Sequence, residues 1–294
     1  MGDVVLRPVR PVRRRLVSVS AAARWRLWAS VAVAGAVVLA VVFVPLFAQL
    51  DQTIVHLDDR LLGPSWAHPL GTDEMGRDTL VRCVYGMRVS LMVGVVAAVV
   101  STVIGTVVGA TAGALGGWTD RVLARIVDVI ASVPHLLLGI ILVALFRPGP
   151  VAVIVSVGLT HWLSTARIVR AEVMSLRARP FVDAAVAGGA SRLRVTVRHF
   201  VPNVAPQAAL AAVLAVPHAI WHESALSFLG LGMPPHLASL GTMIEDGRQA
   251  LLTGHWWPAF SPGVFIVVPT LAIAGLAGFW RDRIDPRARP ELHL

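Results

Sequence analysis

Residues 90–114 read SLMVGVVAAVVSTVIGTVVGATAGA, and this stretch decides the fold class. It has no charged side chain and is long enough to cross the hydrocarbon core of a bilayer as a helix. Ala97, Ser101, Gly105, Gly109 and Gly113, with Gly117 just beyond, recur every fourth residue. Residues four apart share a helix face, so they form one continuous ridge of small side chains. Lipid supplies no hydrophobic drive between helices. A ridge that lets a second backbone come close is therefore expected to hold this helix inside a bundle.

Working outward, similar segments appear on both sides. Residues 29–50, ASVAVAGAVVLAVVFVPLFAQL, hold no charge over 22 positions. At a helical rise of 1.5 Å per residue they extend about 33 Å. A cleaved signal peptide is the rival reading, but its apolar core spans roughly 7–15 residues and lacks so long a basic lead. Trp25 and Trp28 suit the headgroup level. Further spans are expected at about 124–146, 151–166, 205–232 and 262–280. Pro134 should kink the third, and Arg125 and Asp128 are spaced to pair near its start. The expectation is an all-α membrane protein with about six transmembrane helices.

Composition agrees. The chain is 56% hydrophobic and 15% charged, with a mean hydropathy of +0.72. All 26 basic residues are arginine. Without lysine there is no Walker A loop and no Schiff-base chemistry. Cys83 is alone, so no internal disulfide forms.

Arginine position sets the orientation. Seven arginines lie in residues 1–28, two in 115–125, seven in 167–203 and four after residue 280, against six in the alternate loops. The positive-inside rule then places both termini and the 167–203 segment in the cytoplasm. It also explains the net charge of +9 without nucleic acid, since the arginines are spread over separate loops. The expected organisation is a basic N-terminal segment (1–28), a first transmembrane helix (29–50), an extracytoplasmic loop (51–89), a core of five helices (90–281) and a cytoplasmic tail (282–294).

Three places carry candidate chemistry. In His68–Asp78, HPLGTDEMGRD, acids and glycines alternate, but the spacing of a calcium-binding EF-hand is absent. His218, His222 and Glu223 lie inside a span, where ionisable groups mark a translocation path by default. His218 and His222 share a face, but two histidines without HExxH make no complete metal site. Phe181–Asn203, FVDAAVAGGASRLRVTVRHFVPN, reads as two short helices in the loop 171–203. Pro180 opens the first, Asp183 sits in its first turn, Ala184 and Ala185 give a tiny face, and Gly188 and Gly189 stop it. Ser191 caps the second. There Leu193, Val197, Phe200 and Val201 make one apolar stripe, and Pro202 ends it.

Four stretches together resemble the inner-membrane permease subunits of ABC importers, and more narrowly the C-type permeases of the dipeptide, oligopeptide and nickel group. HPLGTDEMGRD with YGMRVSL is similar to the group's signature after the first span. Asp183, Ala184, Ala185, Gly189, Val201 and Pro202 fall in register with its EAA loop. ESALSFLGLG (Glu223–Gly232) and RDRIDPR (Arg281–Arg287) resemble its later motifs. Asp183 stands where the family has Glu, Leu240 where it often has Trp, and Ala277-Gly278 where Gly-Asp is common.

The resemblance implies a permease that is not an enzyme and carries no cofactor or metal. It sits in the plasma or inner membrane of a prokaryote. Its partners would be a second permease, P-loop ATPases, an extracytoplasmic solute-binding protein and membrane lipid. Asp183, Ala184, Ala185, Gly188, Gly189 and Pro202 would form the cytoplasmic coupling element for the ATPase. Di- or oligopeptides are the first solute class; nickel or another small solute is the alternative. An ion-coupled secondary transporter using Glu223 and the nearby histidines is a rival from another class. An intramembrane enzyme lacks any spaced triad or zinc motif.

Overall fold

A computed structural model describes residues 21–47, 52–234 and 237–284. The basic lead through residue 20, the end of the first expected span at 48–50 and the tail from residue 285 lie outside the described residues.

The described residues form helices and no strand; one isolated bridge pairs Thr72 with Asp78. α1 (Ala21–Phe47) starts before the expected span and takes in Trp25 and Trp28, both exposed. α2 (Thr79–Leu115) has 37 residues and begins well before Ser90, because the Asp78 side chain caps it by accepting from the Val81 N–H. Gly116, at φ +64°, turns the chain into α3 (Gly117–Ala131). A break over 132–134 separates α3 from α4 (His135–Ala144).

α5 (Pro150–Arg177), the short α6 (Pro180–Ala187) and α7 (Arg192–Val195) follow. A π turn, Thr196–Phe200, joins α7 to α8 (Val201–Phe228). Two short helices, α9 (Leu240–Asp246) and α10 (Arg248–Leu252), precede α11 (Trp257–Ile284). Among the described residues, five helices are long and apolar enough to cross a membrane, or six if α3 and α4 count as one bent span.

α2 is the spine. Along Gly105, Gly109 and Gly113 it lies on α5, so closely that a methyl on Gly109 would fall 2.5 Å from the Ala166 carbonyl oxygen. Toward its other end it meets α8 and α9: Gly94 faces Ile220, and Gly86 faces Ser239 and Leu240. The small ridge thus serves the partner its spacing calls for. α1 packs chiefly on α11, with Gly275 against Ser30, and its Val41 joins a buried cluster with Met87 of α2 and Ile220 of α8.

Four expectations are corrected. Pro134 does more than kink its span: α3 and α4 meet at 84°. Proline lacks the N–H and forces its predecessor out of helical geometry, so the chain breaks there. Pro202 does not end a helix; helical structure runs from Arg192 to Phe228. The π turn explains this. The Val201 N–H bonds the Thr196 carbonyl, five residues back, and the widened turn gives the proline ring room.

The extra residue also rotates the register, so the expected stripe divides. Phe200 is buried with Val195 and Val204, while Leu193 and Val197 are exposed. Finally, Asp128 pairs with Arg167 at 3.2 Å rather than with Arg125. Asp120 takes Arg170 with two hydrogen bonds of 2.5 and 2.7 Å, so α3 is clasped to α5.

Candidate coupling face and translocation path

At one end of the bundle, α6 projects beyond α2, α5 and α8. Pro180 occupies its first turn and Asp183 lies exposed beside it. Val182 is the anchor. It is 6% exposed and belongs to one buried cluster with Val169, Val173 and Leu176 of α5, Val195, Phe200 and Val204 around the π turn, and Ala110 of α2. The Phe181 ring meets the His199 ring at 5.8 Å and makes a second tie.

The turn after α6 is closed by backbone bonds. The Gly188 N–H bonds the Ala184 carbonyl and the Ala190 N–H bonds the Ala185 carbonyl. Gly189 has φ +81°, a left-handed conformation that side chains other than glycine resist. The Ser191 side chain then accepts from the Arg194 N–H and starts α7. The result is a short helix fixed from below. Ala184 is open, Ala185 is half-buried, and Phe181, Val186, Leu193 and Val197 are exposed around them. Pro202 and Gly188 are exposed too and complete the group singled out in the sequence.

The intramembrane candidates divide. Glu223 is fully buried. Ser90 of α2 donates to its Oε2 at 2.6 Å, Ser227 donates to its Oε1 at 2.8 Å, and Ser224 adds a longer bond at 3.3 Å. Glu223 therefore ties α2 to α8 and faces no open space in this conformation. Gly232 and Gly241 sit against Ser227 and Ser224, where a side chain would displace the hub.

His222 lies elsewhere. Its ring is 4.5 Å from that of His161 on α5 and 5.1 Å from that of His135, the first residue of α4. His135 and His161 stand 5.9 Å apart. His218 is exposed, and its Nδ1 bonds the Leu214 carbonyl. The i, i+4 pair therefore does not converge; His222 joins two histidines remote in sequence. Linear spacing gave no sign of this trio, although the Pro134 break put His135 at the head of a new helix. Among the described residues no group of three His, Cys, Asp or Glu side chains is arranged to hold a metal.

At the end opposite α6, residues 52–78 pack as a folded cap. Asp73 accepts from Arg77 at 2.7 Å and from Arg82 at 2.5 Å, and Arg82 reaches Asp246 of α9 at 3.2 Å. Trp257 donates to the Thr72 carbonyl, and His68 meets Asp78 at 2.8 Å. Two of the three acids in this stretch are occupied: Asp73 by two arginines, Asp78 by a helix cap and a histidine.

Comparison with known proteins agrees with this architecture. Residues 105–290, more than half of the chain, match the family described as binding-protein-dependent transport system inner membrane component. The chain is 38% identical over 253 residues to the oligopeptide transport system permease protein OppC of Bacillus subtilis, covering 86% of this chain and 83% of that one. It is 40% identical over 263 residues to OppC of Escherichia coli K12, covering 89% and 87%. The dipeptide transport system permease protein DppC of Bacillus subtilis is 37% identical over 233 residues, covering 79% and 73%. A solved structure of the MetNI methionine ABC transporter, in an inward-facing conformation, shares the fold at a TM-score of 0.54 and 19% identity, over 70% of this chain and 97% of that one. The matched span, the helical bundle and its projecting α6 turn lead to one conclusion: this chain is a multi-pass membrane protein that belongs to the binding-protein-dependent inner-membrane permease family of ABC importers.

Proposed function

We propose that this chain is the permease subunit of a peptide importer, with both termini and α6 in the cytoplasm, and that α6 is the element on which a separate ATPase acts. The observation that carries the coupling role is the α6 turn itself. It is exposed along Asp183, Ala184 and Gly188, yet bolted through Val182 to the ends of three spans. A push on α6 must then move α5 and α8 rather than dissipate in a loose loop. The names and high coverage of the OppC and DppC relatives favour peptides as the solute. A second permease, ATPase subunits and an extracytoplasmic binding protein complete the machine. Alternating access follows when ATP binding draws two such turns together.

Replacing Gly189 tests the reading. No neighbouring atom lies within 4 Å of a Cβ built there, so Gly189→Val disturbs only the turn's backbone. Left-handed strain of about 1–2 kcal/mol should reshape the turn and leave the bundle folded. In proteoliposomes holding all partner subunits, we expect ATP-driven peptide uptake to fall about tenfold or more while insertion is unchanged. Unchanged uptake in this variant would refute the assignment, as would ATP turnover by the isolated chain.

A further inference from the structure

α1 begins at the end of the molecule where α11 finishes, and a cleft lies between them there. Of the long spans α1 is the least buried, and its chief neighbour is α11. The two helices touch where Gly275 lies against Ser30. Around that contact the cleft measures about 770 Å³. Its wall is open: a side-chain carbon added at Gly278 would meet no atom within 4 Å. The stretch of α11 along it, Leu271 to Asp282, covers about 16 Å of helix.

The lining changes along that length. Toward the middle of the span it is Leu271, Ala274 and Gly275, without charge; at the helix ends it is Trp25, Arg26, Arg281 and Asp282. Phe279 lies between, and Arg283 stacks over its ring, 4.5 Å from the centre. Three arginines therefore stand about one aspartate at the mouth. Arg26 and Arg281 are exposed, and no acid among the described residues pairs with either. The apolar span of α1 starts at Arg24 and that of α11 stops at Arg283, so this mouth lies at headgroup level, the depth that suits Trp25. An occupant that matches the whole cleft is apolar at one end and anionic at the other. The chain's own ends do not match. Residues 1–20 carry five arginines and one aspartate, the same sign as the mouth. Residues 285–294, DPRARPELHL, are balanced in charge and have no apolar run to cover the inner wall.

We propose that the α1–α11 cleft is a binding site for one anionic phospholipid, with its phosphate on Arg26 and Arg281 and an acyl chain along Leu271, Ala274 and Gly278. Guanidinium groups hold a phosphodiester through paired N–H donors. Basic pockets between membrane helices select anionic headgroups for this reason. A zwitterionic headgroup brings its own cation to the same arginines and gains less. The choice of leaflet rests on the cytoplasmic orientation proposed above; the headgroup chemistry does not.

The test uses the complete transporter in vesicles that hold phosphatidylglycerol and phosphatidylcholine in both leaflets. Each lipid is supplied in turn with a photoreactive diazirine on its acyl chain, and the label on the Leu271–Asp282 segment is measured by peptide mass spectrometry after illumination. Phosphatidylglycerol should label it about fivefold more than phosphatidylcholine, the scale of one unbalanced arginine at a membrane surface. Arg26→Gln with Arg281→Gln changes two exposed positions and should bring the two lipids to parity. Gly278→Leu keeps the arginines and fills the cleft, so phosphatidylglycerol label on the segment should fall to the phosphatidylcholine level while label elsewhere in the chain is unchanged.

Parity of the two lipids in the wild type overturns the proposal. So does a preference that survives the arginine pair, since that describes bulk lipid around the protein rather than a site. If Gly278→Leu does not assemble, the arginine pair decides alone. Label from neither lipid means that another subunit or an end of this chain covers the cleft, and the proposal fails. A preference abolished by excess glycerol 3-phosphate assigns the arginines to free phosphate and overturns the lipid. Because both leaflets carry both lipids, the preference is read whichever way the chain faces. An inverted topology would therefore refute the orientation and leave the site standing.

Discussion

Glu223 shows how much one buried side chain can organise. A carboxyl group taken out of water is costly unless its oxygens are satisfied. Here serines from α2 and α8 supply the bonds. Glutamine has the same shape and still offers a carbonyl acceptor, and the serine hydroxyls can rotate to accept from its amide. Glu223→Gln should therefore lower the melting temperature in detergent only slightly. Glu223→Ala leaves buried hydroxyls without partners and a void between helices, at a cost of about 2–4 kcal/mol. Equal melting of the two variants would show that the hub does not hold the helices. The sequence reading had placed Glu223 on the path with His218 and His222. Adjacent residues on a helix point about 100° apart, so His222 and Glu223 serve different surfaces although they are neighbours. Spacing alone cannot say which of the two surfaces is wet.

Among the elements, α2 was the most legible. The four-residue spacing of Gly105, Gly109 and Gly113 announced a close helix contact, and α5 is that contact. Gly109→Leu would drive a side chain into the Ala166 carbonyl and the Arg170 backbone. Overpacking of this kind costs about 1–3 kcal/mol or more, so the variant should express poorly or melt earlier. Gly35 of α1 has no atom within 4 Å of an added Cβ, and Gly35→Leu should be harmless by the same assay.

Local pattern failed where two rules competed. Pro134 and Pro202 carry the same ring, yet one breaks its helix and the other is absorbed. The difference is the π turn over 196–200, which opens the hydrogen-bond ladder just ahead of Pro202. Nothing in composition forecasts such a turn, because it depends on Phe200 finding its place among Val182, Val195 and Val204. The histidine trio was hidden for a similar reason: its members meet only once the chain has bent at Pro134.

At the scale of the whole molecule, orientation is the next quantity to measure. Arginine distribution predicts α6 in the cytoplasm and the 52–78 cap outside. Cys83 is the lone cysteine and is buried, so labelling can be made clean with Cys83→Ala. In whole cells a membrane-impermeant thiol reagent should then label Trp66→Cys, a fully exposed position in the cap, and spare Ala184→Cys until the membrane is opened. The reverse pattern would invert the topology.

The unbroken run from Arg192 to Phe228 has one more consequence. It is a rod of 37 residues, about 55 Å long, with the α6 turn attached at one tip and the Glu223 hub near the other. Close to the hub it bears on α2, where Gly94 lets Val216 and Ile220 approach. The run is therefore held on α2 at its hub end, while the α6 turn sits at the tip farthest from that anchor. A displacement of that tip would then read out as a swing of one helix about a fixed anchor, longest at the α6 turn and smallest at Glu223, with no relay of separate events between them.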